Sequence, residues 1–461
     1  MSSQAPNPPL NQQEQRAAFG LAGIFTLRML GLFLVLPVFA LFARDLPGAT
    51  SLTIGLAMGA YGLTQSLLQI PFGILSDRIG RKPVILMGLG IFALGSVVAA
   101  LAQSIELLIL GRFLQGAGAI AAAVMALAAD LTRESSRTRI MAMIGASIGF
   151  AFIAALIIGP ILAAWFGLSG IFWITALLAL LSAAVLVLVV PTPAQSQFHR
   201  DAEPVPALIG QAMFHPSLFR LNTGVFILHM SLTAVFLVVP VLLRDRYQFA
   251  GVDHWQLYLP VMLVAMGLMV PFVILAERRK QMKEMLLLAI LVAAASLLLL
   301  DEIGGGLIGL GLVLVLFFAA FNLAEAIMPS WVSKVAAAEM RGTAMGVFAS
   351  SQFAGAFAGG LLGGFVHHRF GDEAVFFFAA AMMGLWLLLM LGIERPRHLS
   401  NHLLPLQGLA FDDVEALRQQ LLAIEGVTAA EVILDDGVAY MKVDNERFNP
   451  DSLTALRGAT G

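Results

Sequence analysis

The chain has 461 residues, 59% of them hydrophobic and only 12% charged, with 27 basic against 29 acidic residues and no cysteine. Soluble domains carry roughly 25% charged residues, so this composition argues against a soluble globular protein. The near-balance of charge gives no footing for a nucleic-acid partner, and the absence of cysteine excludes disulfides and thiolate metal sites.

The polar start, Met1 to Arg16, has neither a basic region nor a cleavage site and is not read as a removable leader. Apolar stretches of about 20 residues then recur, and each as a helix crosses a hydrocarbon core of about 30 Å. A helix also satisfies its own backbone groups, which hydrocarbon demands. Twelve spans are expected, at about 17–43, 52–75, 83–103, 106–130, 138–164, 168–190, 218–243, 256–276, 284–300, 305–332, 341–366 and 372–393. The expected fold is therefore an all-α polytopic membrane protein with a small tail. Residues 1–190 form a first six-helix half, 191–217 a polar connector with one interfacial helix, 218–394 a second half, and 395–461 a soluble unit.

Isolated polar residues mark the spans in chain order. Arg28 lies midway along span one, and Tyr61, Gln65 and Gln69 lie in span two. Span two ends in Gly73-Ile-Leu-Ser-Asp77-Arg78-Ile-Gly80-Arg81-Lys82, four charges packed into the last six positions. Gly73 permits close helix approach and Gly80 a tight turn. Asp77, Arg78 and Arg81 can form an ion-pair lock there, with Arg81 bridging Asp77 to Asp130 at the end of span four. Span four carries Arg112, and an arginine at a helix centre costs roughly 2.5–3.5 kcal/mol on insertion scales. It is either functional or snorkels to the interface. In span five Gly145, Gly149, Gly159 and Pro160 are expected to let helices approach closely and bend. Span seven holds Asn222 and His229, and span ten holds Asn322 and Glu325. Glu325 reads as the sole clear carboxylate within the membrane. Desolvation favours a neutral acid, so it is a candidate proton carrier, with a hydrogen-bonded structural acid as the bland alternative.

Lysine and arginine fall about fourteen on one side of the twelve spans, here called the basic side, and four on the other. The positive-inside rule places the basic side, and with it both termini, in the cytoplasm. The chain also repeats itself. "FLVLPV" at Phe33 returns as "FLVVPV" at Phe236, and "PFGILSDR" at Pro71 as "PFVILAER" at Pro271, at spacings of 203 and 200 residues. Two matches in register make two parallel six-helix halves, the arrangement of transporters that alternate access around a midplane site. In the second copy Val273 and Lys280 replace the glycines and Glu277 the aspartate.

The tail has a helical stretch from Phe411 to Gly426, then two strands around Asp435-Asp436-Gly437, then a short helix. No Walker-type loop, nucleophile–base pair or metal cluster is present, so no cofactor, no metal and no enzyme activity are expected.

The 73–82 stretch resembles the signature loop between helices 2 and 3 of the major facilitator superfamily, with every key position filled. Arg112-Phe-Leu-Gln115-Gly116-Ala-Gly118 resembles the family motif whose arginine is tied to proton coupling. Gly145 to Pro160 partly resembles its antiporter motif, with Ala163 and Ala164 where drug antiporters have glycines. The tail is similar to a small ferredoxin-like domain, and the whole resembles YajR-type drug/proton antiporters. The resemblance implies proton-coupled efflux of amphipathic small molecules across a bacterial inner membrane. It assigns the latch to Gly73, Asp77, Arg78, Gly80, Arg81, Lys82 and Asp130, and proton coupling to Arg28, Arg112 and Glu325. Tyr61, Gln65, Asn222, His229 and Asn322 are expected to line the substrate cavity. Two alternatives stay open: a proton symporter importing a polar or anionic solute, and a transport-dead sensor acting through its tail, whose ligand the residues do not disclose.

Overall fold

The computed structural model describes residues 10–193, 205–302, 306–337, 340–395, 399–406, 413–433, 438–444, 447–449 and 452–453. The chain divides into two compact units, Met1–Glu394 and Arg395–Gly461.

In the first unit, span one is broken. α1 (Gln12–Phe33) starts at a capping box between Asn11 and Glu14, and turns around Pro37 lead to α2 (Phe39–Ala43). Span two is α3 (Ser51–Ile79), started by the Thr50 side chain accepting from the Thr53 amide. α4 (Arg81–Ala100) follows after the single residue Gly80, whose φ of 96° only glycine adopts without strain. Span four is interrupted into α5 (Ile105–Ala117) and α6 (Ala121–Asp130). α7 (Glu134–Leu188) holds 55 residues, about 80 Å at 1.5 Å per residue and far too long for one crossing. It reverses at Gly167, where φ is 65°.

The connector contributes one short helix, α8 (Ile209–Phe214); residues 194–204 lie outside the described residues. The second half comprises α9 (Pro216–Asp245), α10 (His254–Arg278), α11 (Met282–Glu302), α12 (Gly306–Val335), α13 (Arg341–Phe370) and α14 (Asp372–Leu391). Ten segments among the described residues are long and apolar enough to cross a membrane. One of them, Arg139–Leu188, carries two crossings folded at Gly167. α3 is not among the ten, because its glycines, glutamines and terminal charges dilute it, yet its 29 residues, about 43 Å as a helix, are long enough to cross. Twelve crossings result.

The halves meet closely where α3 lies antiparallel to α13. A methyl group added to Gly59 would stand 2.7 Å from the Phe357 carbonyl oxygen, and one on Gly364 would stand 2.7 Å from that of Ser51. Backbone meets backbone here, which only small residues permit. On the side opposite the basic one, Arg44 pairs with Asp245 at 3.0 Å, tying span one to α9 across the halves.

The second unit has β1 (Leu399–Pro405), α15 (Val414–Leu422), β2 (Val427–Ile433) and β3 (Val438–Asp444). β3 lies between the other two and antiparallel to both. Leu417 and Leu421 of α15 pack on Ala439, Met441 and Val443 of the sheet. The Asp435-Asp436-Gly437 turn and most of the last short helix lie outside the described residues.

Candidate functional site

At the basic end of α3, Arg81 is folded inward, its side chain 2% exposed. Its Nη1 donates to Asp77 one turn earlier and, at 2.9 Å, to Ser76 Oγ; its Nε donates to Asp130 Oδ2 at 3.2 Å. The Asp130 side chain is fully buried and that of Asp77 a quarter exposed. Gly80 makes this possible, because the reversal at that one residue aims Arg81 back across the end of α3. Gly73 is buried, its carbonyl accepting from Ser76 Oγ at 2.7 Å. Lys82 Nζ donates to the Val190 carbonyl at 2.6 Å, pinning the end of α7. Arg78 points outward, so the expected three-way lock is instead a lock of Arg81 with two carboxylates. A helix places residues 77 and 81 on one face and turns 78 away by about 100°. Among the described residues, Asp77 hydrogen-bonds within its own half and makes no bond to α13.

The second-half copy is built differently. Glu277 pairs with Lys334 of α12 at 2.8 Å and accepts from Ser330 Oγ at 2.9 Å. Lys280, in the place of Gly80, takes a φ of 56°.

Inside the first half lies a network around two arginines. Arg28 is 0% and Arg112 2% exposed. Arg28 Nη2 stands 2.8 Å from the Gly118 carbonyl, 3.0 Å from Gln65 Oε1 and 3.1 Å from Tyr61 Oη. The break between α5 and α6 is what frees that carbonyl. Gln65 Nε2 passes the chain on to Gln69 Oε1 at 2.6 Å. Arg112 donates to Gln115 Oε1 at 2.7 Å and lies over the Tyr61 ring, 5.3 Å from its centroid. Arg112 therefore does not snorkel. Nor do Tyr61 and Gln65 line an open cavity, as expected of them. They are sealed between α1, α3, α4 and α5, because two guanidinium groups without a carboxylate need every nearby oxygen as acceptor. Arg28 Nε and Nη1 have no hydrogen-bond partner among the described residues.

The second half presents His229 of α9 and Glu325 of α12, with 3.9 Å between Nε2 and Oε2. Gln352 of α13 stands between them, its Nε2 2.7 Å from His229 Nε2 and 3.1 Å from Glu325 Oε1. The Glu325 side chain is a third exposed. The carboxylates buried in full are Asp130 and Glu14, each beside an arginine: Arg81, and Arg133 at 2.7 Å. Glu14 precedes span one and Asp130 ends span four, so Glu325 is the carboxylate that stands well within a span among the described residues, and its hydrogen-bonding neighbour is a neutral amide. Asn322, one turn earlier, has a buried Nδ2 with no partner among the described residues.

Three expectations fail on position. Asn222 reaches toward the connector, its Nδ2 3.5 Å from the Ala212 carbonyl of α8, rather than a substrate space. Gly145 and Gly149 are exposed, with nothing within 4 Å of an added methyl group, so they do not serve close helix approach here. Gly159 does, 2.7 Å from the Leu34 carbonyl and 3.2 Å from Pro37, where span one is broken beside the α7 turn holding Pro160. Sequence reasoning passed over Gln352, Glu14 and Ser96, whose Oγ accepts from Gln115 Nε2 at 2.8 Å. Gln352 shows no signal beyond being a lone amide in a glycine-rich span, while Glu14 three residues after Asn11 is a capping-box spacing.

Two six-helix repeats, a charged lock at one end and polar clusters held inside each half define a membrane transporter of the alternating-access kind. The family model of the Major Facilitator Superfamily matches residues 21–360, and the chain belongs to that superfamily. It is 42% identical over 436 residues to the inner membrane transport protein YajR of Escherichia coli (strain K12), covering 95% of this chain and 96% of that one. It is 34% identical over 139 residues to a class E tetracycline resistance protein of Escherichia coli, covering 30% of this chain and 34% of that protein. Among solved structures, a bacterial homologue of the human lysosomal transporter Spinster, inward-facing and occupied, superposes with a TM-score of 0.69 at 14% identity over 83% of this chain and 97% of that one. The human organic anion transporter MFSD10 gives 0.61 at 22% identity, over 82% of this chain and all of that one. These two likenesses speak for the fold.

Proposed function

We propose that the protein is a proton-coupled antiporter exporting amphipathic small molecules from the cytoplasm across a bacterial inner membrane, with both termini cytoplasmic. The observation that carries this reading is the second-half cluster. Glu325 is partly open, lies against a neutral amide and a histidine, and can gain or lose a proton without stranding a buried counter-ion. Asp77, Arg81 and Asp130 act as the cytoplasmic latch. With that side closed, Asp77 caps the start of α13; in the present arrangement it bonds only Arg81, while Arg44 and Asp245 hold the halves together on the far side. A partly exposed ion pair at a helix terminus is worth about 1–2 kcal/mol, enough to move an even population to roughly ten to one. The resistance protein among the relatives supports efflux, and the ferredoxin-like tail modulates rather than performs transport.

The test uses the full chain in proteoliposomes with ethidium, an amphipathic cation, as probe. Wild type is expected to release protons on addition of the dye, and Glu325→Gln to insert normally and release none. Proton release unchanged in Glu325→Gln would remove the carboxylate from the mechanism.

A further inference from the structure

Gln352 lies on α13, the second-half helix that packs backbone to backbone against α3 of the first half. Its amide nitrogen carries two protons. One is directed at Glu325 Oε1 at 3.1 Å and the other at His229 Nε2 at 2.7 Å. The second direction is fixed by the other ring nitrogen. His229 Nδ1 is 3.2 Å from the Val225 carbonyl, which only accepts, so Nδ1 carries the proton and Nε2 is free to accept. The arrangement gives each proton of the amide nitrogen an acceptor, one on each neighbouring helix. At 3.9 Å His229 and Glu325 are too far apart to bond directly. A proton on His229 Nε2 removes one acceptor from the Gln352 nitrogen, and a proton on Glu325 weakens the other by taking its charge, so the amide is driven to turn its oxygen over or to move with its helix.

That helix has little room to move alone. Methyl groups added at Gly59 and Gly62 of α3 would stand 2.7 and 2.5 Å from the carbonyl oxygens of Phe357 and Phe353. Gly355 and Gly359 abut the backbone of α9 just as closely. Phe353, the next residue, packs edge-on against Tyr61, with ring centroids 6.0 Å apart, and Tyr61 is the residue shared by Arg28 and Arg112.

We propose that Gln352 is a positioning residue for the proton step, and that with Phe353 it transmits the protonation state of the His229–Glu325 pair from the second half to the first. The proposal rests on Glu325 as the coupling carboxylate. The titratable groups facing Gln352 are His229 from α9 and Glu325 from α12. From α3 the group beside its neighbour Phe353 is Tyr61, with Arg28 and Arg112 behind it. The acidic residues of α14 sit in its first turn, where Asp372 lies 2.6 Å from His367, and α8 has no titratable side chain.

The chain lacks cysteine, so Met345→Cys, at a half-buried position near the basic end of α13, reports the conformation by its rate of thiol labelling in proteoliposomes between pH 5 and 9. Divided at each pH by the rate for the denatured protein, which removes the thiol's own ionisation, the labelling rate is expected to depend on pH. Gln352→Met keeps the volume and loses both donors; Gln352→Asn falls short of both partners. In each, the midpoint is expected to rise by about one pH unit, the scale of a lost hydrogen bond to a carboxylate. Phe353→Leu is expected to keep the midpoint and halve the amplitude. If Glu325→Gln abolishes the pH dependence while both Gln352 variants keep the wild-type midpoint, the positioning role is wrong and the antiport reading stands. If Glu325→Gln leaves the pH dependence intact, the antiport reading itself fails. An unchanged amplitude in Phe353→Leu rejects transmission across the halves.

Discussion

Arg81→Met separates the two carboxylates that Arg81 holds. Asp77, a quarter exposed, returns to water, and a surface pair of that kind is worth about 0–1 kcal/mol. Asp130 is fully buried and cannot do so. An ion left in the interior without its counter-ion costs about 3–5 kcal/mol. Hydrogen bonds from Arg81 to Ser76 at 2.9 Å and Asp130 at 3.2 Å are lost with it. The single variant should therefore be destabilised by about 3–5 kcal/mol, and Asp77→Asn by less than about 1 kcal/mol. Arg81→Met combined with Asp130→Leu removes both partners of the buried pair and should recover most of the loss, as replacement of buried pairs by apolar side chains often does. The assay is thermal unfolding of the detergent-solubilised full chain by tryptophan fluorescence, with the four proteins compared under one detergent. The order expected is wild type near Asp77→Asn, then the double variant, with Arg81→Met well below. If Arg81→Met melts with Asp77→Asn, or the double variant melts below Arg81→Met, burial of Asp130 is not what gives the lock its strength.

Two further outcomes follow from packing and from the arginine network. Gly62→Val should block close approach of α3 to α13 and reduce the yield of folded protein several-fold, whereas Gly145→Ala and Gly149→Ala, at open positions, should change it little; equal yields would dismiss the glycine contact. Arg112→Lys keeps the charge but loses the planar fork that reaches Gln115 at 2.7 Å while lying over Tyr61, so dye efflux from intact cells should fall at least tenfold with insertion retained; normal efflux at every pH would make the fork dispensable.

The span count, the repeat and the basic side were legible in the chain, because hydrocarbon imposes length and composition on each crossing and the translocated loops on charge. Even the pairing of Asp77 and Asp130 with Arg81 could be anticipated, since one helical turn and one glycine reversal are local geometry. The same locality explains why β2 and β3 were readable on either side of an Asp-Asp-Gly turn. What the residues could not disclose is which polar side chains share a space. Asn222, His229, Asn322 and Glu325 look alike on paper, as lone polar residues in apolar helices. Residues seven apart share one face of α9, and only what packs at each height along it, α8 at one level and α12 two turns on, sends Asn222 to the connector and His229 to Glu325. Gly145 and Gly159 belong to one motif, yet only the second meets a neighbouring backbone. Gln352 acquires meaning from three helices converging on one amide, and such convergence is set by packing between residues 27 and 123 positions away, which no spacing within a single helix encodes.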